Sequence, residues 1–349
     1  MTAFLSIFLA AVGLLATTGC ESSPPGSAGP GTSGPTKSGP AQPDARAVSP
    51  NPPRLAKSDL PRFVEHDRFT IPSVKVNDVR VHELSGLAWD EDEQLLYAVT
   101  DKGNVIHFRL KLKGNTILAI EPVYAAPLVD AAATSARRGG LDAEGLAVLN
   151  ADNGKPGDTE LVVVVEGATP RILRFSPAGA MLGELPVPPP LDDQRNYRGG
   201  GNKGLEALAW HPQYGLIVAP ESPLEQQPKT LHTVYANDRH WSFLAHPAKD
   251  SRLKALEVLA DGNLLALERS STGATKPLVV SLRYVDIAAC PADGTCGAED
   301  LAVFPTGRDN FEGLADLGKH RFLAVSDHHK DDPVGMTVML FSLQYKDAP

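Results

Sequence analysis

Residues 206–221, EALAWHPQYGLIVAPE, contain two short apolar elements separated by a turn. The first element is a polar residue followed by a tiny residue, Leu and Ala. The second is an apolar run of strand length that ends in the acid Glu221. Short apolar runs bounded by Pro, Gly, Asn and Asp are typical of β-strands, and no long helical period competes with them in this chain. The stretch therefore predicts two consecutive β-strands.

The same pair of elements occurs five times along the chain. The first element always begins at a shared position, the polar slot, which holds Ser85, Glu144, Glu206, Lys254 and Glu312. The second element always ends at another shared position, the strand-end slot, which holds Asp101, Glu166, Glu221, Glu268 and Asp327. Two more strands usually follow each pair. Propeller blades of four strands repeat every ~40–50 residues, and longer loops lengthen that period.

We therefore predict an all-β fold, a β-propeller of four-stranded blades. The five copies favour five blades, with a strand from Phe69 to Val81 completing the last blade and closing the ring. Ring closure removes the free sheet edges that invite aggregation. Six blades are the alternative, if a degenerate blade lies around Glu121–Leu141 or in the N-terminal segment. A β-sandwich is the other alternative, but its unrelated strands would not be expected to show five aligned copies of one pattern.

The N-terminal segment is typical of an exported protein. Residues 4–16 are almost continuously apolar, which suits a signal peptide and is too short to span a bilayer comfortably. The run ends in Ala16-Thr17-Thr18-Gly19-Cys20, which resembles a bacterial lipobox whose Cys receives the lipid. Residues 21–59, which begin with a long stretch rich in Ser, Pro and Gly, are expected to form a disordered tether. Plain secretion and a buried N-terminal segment are the alternatives.

These observations divide the chain into a signal peptide at 1–20 that ends at Cys20, a linker at 21–59 and one folded domain at 60–349. We expect a protein of the bacterial cell envelope, attached to a membrane through its N-terminal lipid, or else periplasmic or secreted. Cys290 and Cys296 flank a Pro-Asp-Gly turn, and such a pair in an exported protein predicts a local disulfide. Two thiols without a nearby His would make a poor zinc site.

Charge excludes one class of partner. The 349 residues carry a formal net charge of −9, and no stretch concentrates Lys and Arg. A nucleic-acid-binding protein is expected to carry a basic patch, so we predict no nucleic-acid partner. We expect the protein to be a monomer.

The two slots place five pairs of mostly acidic residues at equivalent corners of the blades, so these residues should converge at one mouth of the channel. Bound Ca²⁺ would offset their repulsion, because it accepts six to eight oxygen ligands in flexible geometry. The predicted metal ligands are Glu144, Glu206, Glu312 and Asp327. The basic residues Lys203, Arg195, Arg198, Lys254 and Arg269 could also offset it. The alternative is that each acid caps its own blade.

If the site is hydrolytic, the predicted catalytic residues are Glu166, Glu221, Lys254 and Arg269. Lys254 and Arg269 would hold an anionic substrate, while Glu166 or Glu221 would act as general base. His328 and His329 are further candidates for metal binding or proton transfer, or are solvated. Residues 192–202 could form a mobile basic loop over a blade mouth. Ser85 lacks the Gly-x-Ser-x-Gly context of a nucleophile elbow.

The chain resembles the phytase-like family, whose domain is named for the esterase-like activity of phytase, over about Leu60–Tyr345. The resemblance rests on the segments 140–146, GLDAEGL; 202–209, NKGLEALA; 264–269, LLALER; and 310–314, NFEGL. It departs from the family after Asp327, where His328-His329 replaces the usual Asp-Asn. The resemblance implies hydrolysis of a small anionic or ester substrate. The alternative function is a surface-tethered propeller that binds a ligand or acts as a scaffold without catalysis.

Overall fold

The computed structural model describes residues 55–56, 59–129, 140–199, 204–271, 278–291, 294–307, 309–327 and 335–346. Over these ranges the chain forms β-strands and one 3₁₀ turn, Gln194–Asn196, without an α-helix. None of the described segments is a helix long and apolar enough to cross a membrane. Cys20 and nearly all of the predicted linker lie outside the described residues. Leu55, at the end of that linker, packs against the folded domain.

The described strands form five four-stranded blades and one small hairpin. Strand β1 spans Arg62–Ile71, and the hairpin consists of β2 (Lys75–Val76) and β3 (Val79–Arg80). Blade 1 contains β4 (Leu84–Asp90), β5 (Leu95–Thr100), β6 (Asn104–Lys113) and β7 (Thr116–Pro127). Blade 2 contains β8 (Asp142–Leu149), β9 (Glu160–Glu166), β10 (Arg171–Phe175) and β11 (Met181–Leu185). Blade 3 contains β12 (Leu205–His211), β13 (Gly215–Pro220), β14 (Leu231–Ala236) and β15 (Arg239–Leu244).

The last two blades complete the ring. Blade 4 contains β16 (Arg252–Val258), β17 (Leu264–Ser271), β18 (Leu278–Asp286) and β19 (Thr295–Gly307). Blade 5 contains β20 (Asn310–Asp316), β21 (Arg321–Asp327), β22 (Met336–Gln344) and, as its outer strand, β1. The first strands of the blades touch in the order β4, β8, β12, β16, β20 and back to β4, so they line a central channel. The predicted five-bladed propeller is confirmed.

The closing strand differs from the expectation. We predicted that residues 69–81 would complete blade 5, but β1 pairs with β22 from Arg62 to Ile71, and the hairpin β2–β3 follows it. Part of Glu121–Leu141, the segment considered for a sixth blade, belongs to the outer strand of blade 1, since β7 extends to Pro127. Residues 130–139 lie outside the described residues. The strand that closes the ring thus comes from the N-terminal end of the domain and joins its C-terminal strand.

Crowding at the axis explains the tiny residue after the polar slot. A Cβ atom added to Gly86 would lie 2.7 Å from the carbonyl oxygen of Glu144 in the next blade. A Cβ atom added to Gly145 would lie 2.6 Å from the carbonyl oxygen of Glu206. Neither separation is compatible with van der Waals packing, so a larger residue would push the inner strands apart.

The hydrophobic core consists of layers between adjacent blades rather than one central cluster. The layer between blades 1 and 2, for example, contains Val99, Val105, Val163 and Phe175, all buried. Because each second strand is covered by a neighbouring blade on both faces, its sequence is continuously apolar rather than alternating. This packing fixes the orientation of the second strands and of the acids that end them.

Blades 3 and 4 are also joined at their outer edges. Strand β15 pairs in parallel with β19, with Ser242 opposite Thr295 and Phe243 opposite Cys296. The structure joins Cys296 and Cys290 in a disulfide with an S–S distance of 2.12 Å. The two blades therefore form one eight-stranded sheet, whereas each of the other described blades is a separate four-stranded sheet.

Candidate functional site

Antiparallel pairing brings the two slots to the same end of the channel. The start of each first strand lies opposite the end of the second strand, as Asp142 lies opposite Glu166 and Asn310 opposite Asp327. The residues of both slots therefore gather at one opening, which we call the acidic mouth.

A β-bulge lies at the polar slot in all five blades. The register shifts between Leu84 and Gly86, Ala143 and Leu146, Leu205 and Ala207, Leu253 and Ala255, and Phe311 and Gly313. The residue of the polar slot is left unpaired each time, together with Gly145 in blade 2, and a bulge of this kind redirects a side chain out of the regular alternation. The repeat thus encodes where these side chains lie, independently of their identity.

Lys254 forms the centre of one half of the mouth. Its Nζ donates to Glu206, lies 3.0 Å from Oε1 of Glu312 and lies 3.3 Å from Oε1 of Glu221. These four residues, which we call the lysine cluster, are all buried. Although burial lowers the pKa of Lys254, the charges of the surrounding carboxylates raise it well above its usual value. Burial raises the pKa of Glu206, and contact with Lys254 opposes that rise.

Two arginines add positive charge to the lysine cluster. Nη1 of Arg252 lies 3.0 and 2.9 Å from the two carboxylate oxygens of Glu221, and Nη2 of Arg269 lies 3.6 Å from Oε1. Burial would raise the pKa of Glu221, but Lys254, Arg252 and Arg269 together lower it to about 2. Glu221 is therefore a weak base at neutral pH, which argues against the general-base role predicted for it.

Three carboxylates lie close together in the other half of the mouth. Asp142, Glu144 and Glu166, the carboxylate cluster, each offer an oxygen within 4.8 Å of the others. The backbone N–H of Gly204 donates to Oε1 of Glu166. Burial raises the pKa of Glu166 to about 6, and burial followed by the charge of Glu206 raises the pKa of Glu144.

Asp101 borders the carboxylate cluster. Burial and the charges of Glu312, Asp327 and Asp142 raise its pKa to about 8. Its Oδ1 is buried and accepts no hydrogen bond from any described residue. An acid in this position is not stabilised by the protein alone in its charged form.

Glu268, like Glu221, is a strand-end acid that basic neighbours stabilise in its charged form. Arg283 lies 2.9 Å from its Oε1, and its Oε2 accepts hydrogen bonds from Ser251 Oγ and from the backbone N–H of His246. His232 Nε2 lies 3.4 Å away. Burial opposes ionisation, but these partners lower the pKa of Glu268 to about 2. Glu268 therefore caps its own blade, which is the alternative to metal binding that the sequence left open for all of the acids in the two slots.

The structure divides the predicted metal ligands between the two halves of the mouth. Glu144 belongs to the carboxylate cluster, whereas Glu206 and Glu312 already contact Lys254. Asp142 was missed by the sequence reasoning. The hairpin register could have revealed Asp142. The residue two positions before the polar slot lies opposite the strand-end acid of the same blade. Asp327 raises the pKa of Asp101 by its charge and so lies at the same mouth.

Two of the predicted basic candidates, Arg195 and Arg198, do not contribute to the mouth. Arg195 is exposed and pairs with Asp193, and Arg198 donates to the backbone carbonyls of Pro223, Leu224 and Gln227. The described part of the predicted mobile basic loop, residues 192–199, is therefore anchored to the segment 223–227. Lys203, His328 and His329 lie outside the described residues. Ser85 Oγ donates to the carbonyl of Ala143 at 2.6 Å and joins blades 1 and 2.

The comparison with protein families gives a match that covers most of the chain. A family model for phytase-like proteins, described as "Esterase-like activity of phytase", matches residues 79–329. The chain belongs to the phytase-like family. The match spans strands of all five blades and the residues of both clusters, which agrees with the family resemblance predicted from the sequence. The comparison with curated proteins finds no match to this phytase-like chain.

The comparison with solved structures returns other propellers. The chain is similar to the Dos1 propeller, with 11% identity, a TM-score of 0.36 and coverage of 78% of this chain and 71% of that one. It is also similar to the PQQ-bound aldose sugar dehydrogenase of Streptomyces coelicolor, with 11% identity, a TM-score of 0.43 and coverage of 82% and 100%. The five-bladed architecture of this phytase-like chain rests on its own strand order and ring closure.

Proposed function

We propose that the acidic mouth hydrolyses phosphoesters or other esters with the help of Ca²⁺ bound at the carboxylate cluster. The observation that carries this proposal is the spacing of Asp142, Glu144 and Glu166, whose oxygens lie within 4.8 Å of one another. Oxygens that share one Ca²⁺ at 2.3–2.6 Å are about this far apart at most. Family membership supports hydrolysis as the reaction class without specifying the bond.

The charge state of these residues also fits a cation. The raised pKa values of Glu144 and Asp101 arise from burial and from neighbouring negative charge. A divalent cation would stabilise the charged forms, and water and backbone carbonyls can complete its coordination. The buried Oδ1 of Asp101 provides a further oxygen that no described residue uses.

Each residue would have a distinct role. Bound Ca²⁺ would polarise a phosphoryl or carbonyl oxygen and orient a water molecule. Asp142, Glu144 and one oxygen of Glu166 would hold the ion, while the other oxygen of Glu166, whose pKa is about 6 without the ion, would accept the proton of the attacking water at neutral pH. Arg269, which contacts Glu221 only at 3.6 Å, would retain donors for the substrate anion. Lys254 is occupied by three carboxylates, so we assign it to positioning rather than to substrate binding.

A hydrolysis assay tests this proposal. p-Nitrophenyl phosphate and p-nitrophenyl acetate would be assayed with Ca²⁺ and with EDTA, in wild type, Asp142→Asn and Glu166→Gln. We expect EDTA and Asp142→Asn to abolish turnover, and Glu166→Gln to lower it about 10²–10⁴-fold while Ca²⁺ still binds. Glu184→Gln is the matched control, since Glu184 is an exposed acid paired with Arg171. Turnover that is indifferent to EDTA and to Glu166→Gln would refute the proposal.

A second candidate function is a ligand-binding propeller without catalysis. The contacts of Lys254 favour it, because the protein itself neutralises part of the acidic mouth and thereby uses these acids for stability. Ca²⁺ binding without turnover of either ester would support this candidate. In both proposals the substrate or ligand is small, the protein acts as a monomer without nucleic acid, and Cys20 tethers it to a membrane of the cell envelope.

A further inference from the structure

The channel has a second opening, opposite the acidic mouth, that no part of the proposed function uses. It widens into a cavity of about 1440 Å³ lined by the ends of the first strands, by the turns that follow them and by the β6–β7 hairpin of blade 1. We call it the distal mouth. The first strands contribute Trp89 from blade 1, Val148 from blade 2, Trp210 from blade 3, Glu257 from blade 4 and Asp316 from blade 5.

Glu257 departs from the repeat at this mouth. The position three residues after the polar slot holds Ala88, Ala147, Ala209 and Ala315 in the other blades. A methyl group therefore satisfies the packing of a blade at this position, and the carboxyl of Glu257 is not required by the fold. A departure from the repeat that introduces a costly, part-buried carboxyl suggests a ligand contact.

Glu257 and Asp316 lack an ion-pair partner among the described residues, although the charge of His320 lowers the pKa of Asp316 and the backbone N–H of Gly318 donates to its Oδ1 at 2.8 Å. The backbone N–H of Asp316 donates to Oε1 of Glu257 at 3.2 Å, which holds the two residues side by side. Neither carboxyl forms an ion pair with a Lys, Arg or His in the described part of the chain, in contrast with the lysine cluster. Burial and the charge of Asp316 raise the pKa of Glu257, and burial raises that of Asp316.

Two tryptophans line the cavity, one from blade 1 and one from blade 3. Trp210 is 49% exposed, which is unusual for so large an apolar side chain on an inner strand. Trp89 Nε1 donates to Oε2 of Glu91 at 2.8 Å, which anchors the edge of its indole ring. The strand that carries Trp210, β12, contacts β16, which carries Glu257, and the strand that carries Trp89, β4, contacts β20, which carries Asp316.

We propose that the distal mouth binds an organic ammonium ion, with its charge against Glu257 and Asp316 and its carbon substituents against Trp89 and Trp210. Indole faces attract cations, and a desolvated ammonium group on an indole gains more than an exposed one. Glu91 and Asp152 add negative charge to the lining, which also includes the exposed Lys111 and Lys319 and the part-buried Arg321. A quaternary ammonium compound and a polyamine share this chemistry.

Calorimetric titration with choline, and separately with spermidine, tests the proposal. We expect choline to bind wild-type protein with a Kd of about 1 mM, and its uncharged isostere 3,3-dimethylbutan-1-ol to bind at least about tenfold more weakly. Spermidine binding at the same site would extend the assignment to polyamines. Equal binding of choline and the isostere, no binding of either cation, or binding of maltotriose in their place would overturn it.

Variants locate the site. Glu257→Ala restores the residue that the other blades carry, so we expect it to fold and to weaken choline binding at least about fivefold. Trp210→Ala should weaken it similarly, while Glu184→Gln should bind as wild type does. Glu166→Gln should also leave choline affinity unchanged, which separates this site from the proposed hydrolytic one. Unchanged affinity in both Glu257→Ala and Trp210→Ala would place the cation elsewhere and refute the proposal.

Discussion

The lysine cluster and the carboxylate cluster occupy the same mouth, derive from the same repeat positions and are delivered by the same kind of bulge. They differ in what neutralises their acids. Lys254, Arg252 and Arg269 face the three carboxylates of the lysine cluster, whereas no described basic side chain forms an ion pair with Asp142, Glu144 or Glu166. The repeat therefore decides where a side chain lies, and single residues within it decide whether the acids need a ligand.

Removing Lys254 should have the largest effect of the changes that test this contrast. We expect Lys254→Met to lower the free energy of unfolding by about 3–5 kcal/mol, because it leaves three buried carboxylates without their shared cation. Urea denaturation at pH 7 would measure the change. A loss below about 1 kcal/mol would mean that the lysine cluster does not depend on its lysine.

The two clusters should respond to pH with opposite signs. The pKa of Glu166 rises from 4.5 to about 6 in the folded protein, so its contribution to stability falls as pH rises from 4.5 through 6. Asp101, with a pKa of about 8, extends that fall to higher pH. The pKa of Glu221 falls from 4.5 to about 2, so its contribution is lost as pH decreases from 4.5 through 2.

Unfolding free energies measured in EDTA between about pH 3 and pH 9 check this prediction. We expect a maximum near pH 4.5–5 and a decline of about 1–2 kcal/mol toward neutral pH from Glu166. Asp101→Asn should flatten the decline above pH 6, and Glu184→Gln should leave the curve unchanged. A curve that rises steadily to pH 8 would contradict the conclusion that no described basic side chain neutralises the carboxylate cluster.

The smallest effect is expected for Lys102, beside the carboxylate cluster. Its side chain is exposed, its Nζ lies 3.2 Å from Oε2 of Glu83, and its charge lowers the pKa of Asp142 and of Asp101 against the effect of burial. Lys102→Met should change stability by less than about 1 kcal/mol. It should strengthen Ca²⁺ binding about two- to fivefold, because a nearby positive charge is removed. Weaker Ca²⁺ binding in this variant would contradict the location of the site.

Much of the fold could be predicted from the sequence because the repeat makes one pattern visible five times. The polar slot, the strand-end slot and the tiny residue between blades all follow from packing that every blade shares. The closing strand was misplaced by several residues, because β1 has no second copy in the chain with which its pattern could be aligned. Repetition, rather than the strength of any single strand signal, made these predictions possible.

The site was predicted less completely, since its chemistry depends on contacts between blades. Lys254 was predicted to hold an anionic substrate, but its three carboxylate partners come from blades 3 and 5 and share no local sequence signal. Asp142 was missed because its position depends on hairpin register. Glu257 was not noticed at all, although the Ala residues at the same position in the other four blades could have revealed it.

Calorimetric titration of Ca²⁺ into wild type, Glu144→Gln and Glu206→Gln tests the central claim most directly. The two variants remove one carboxylate each from the same slot of adjacent blades, but from different clusters. We predict one Ca²⁺ per chain in wild type, loss of binding in Glu144→Gln, and retention within about fivefold in Glu206→Gln. Absence of Ca²⁺ binding in wild type, or loss in Glu206→Gln with retention in Glu144→Gln, would contradict the division of the acidic mouth into a neutralised half and a cation-binding half.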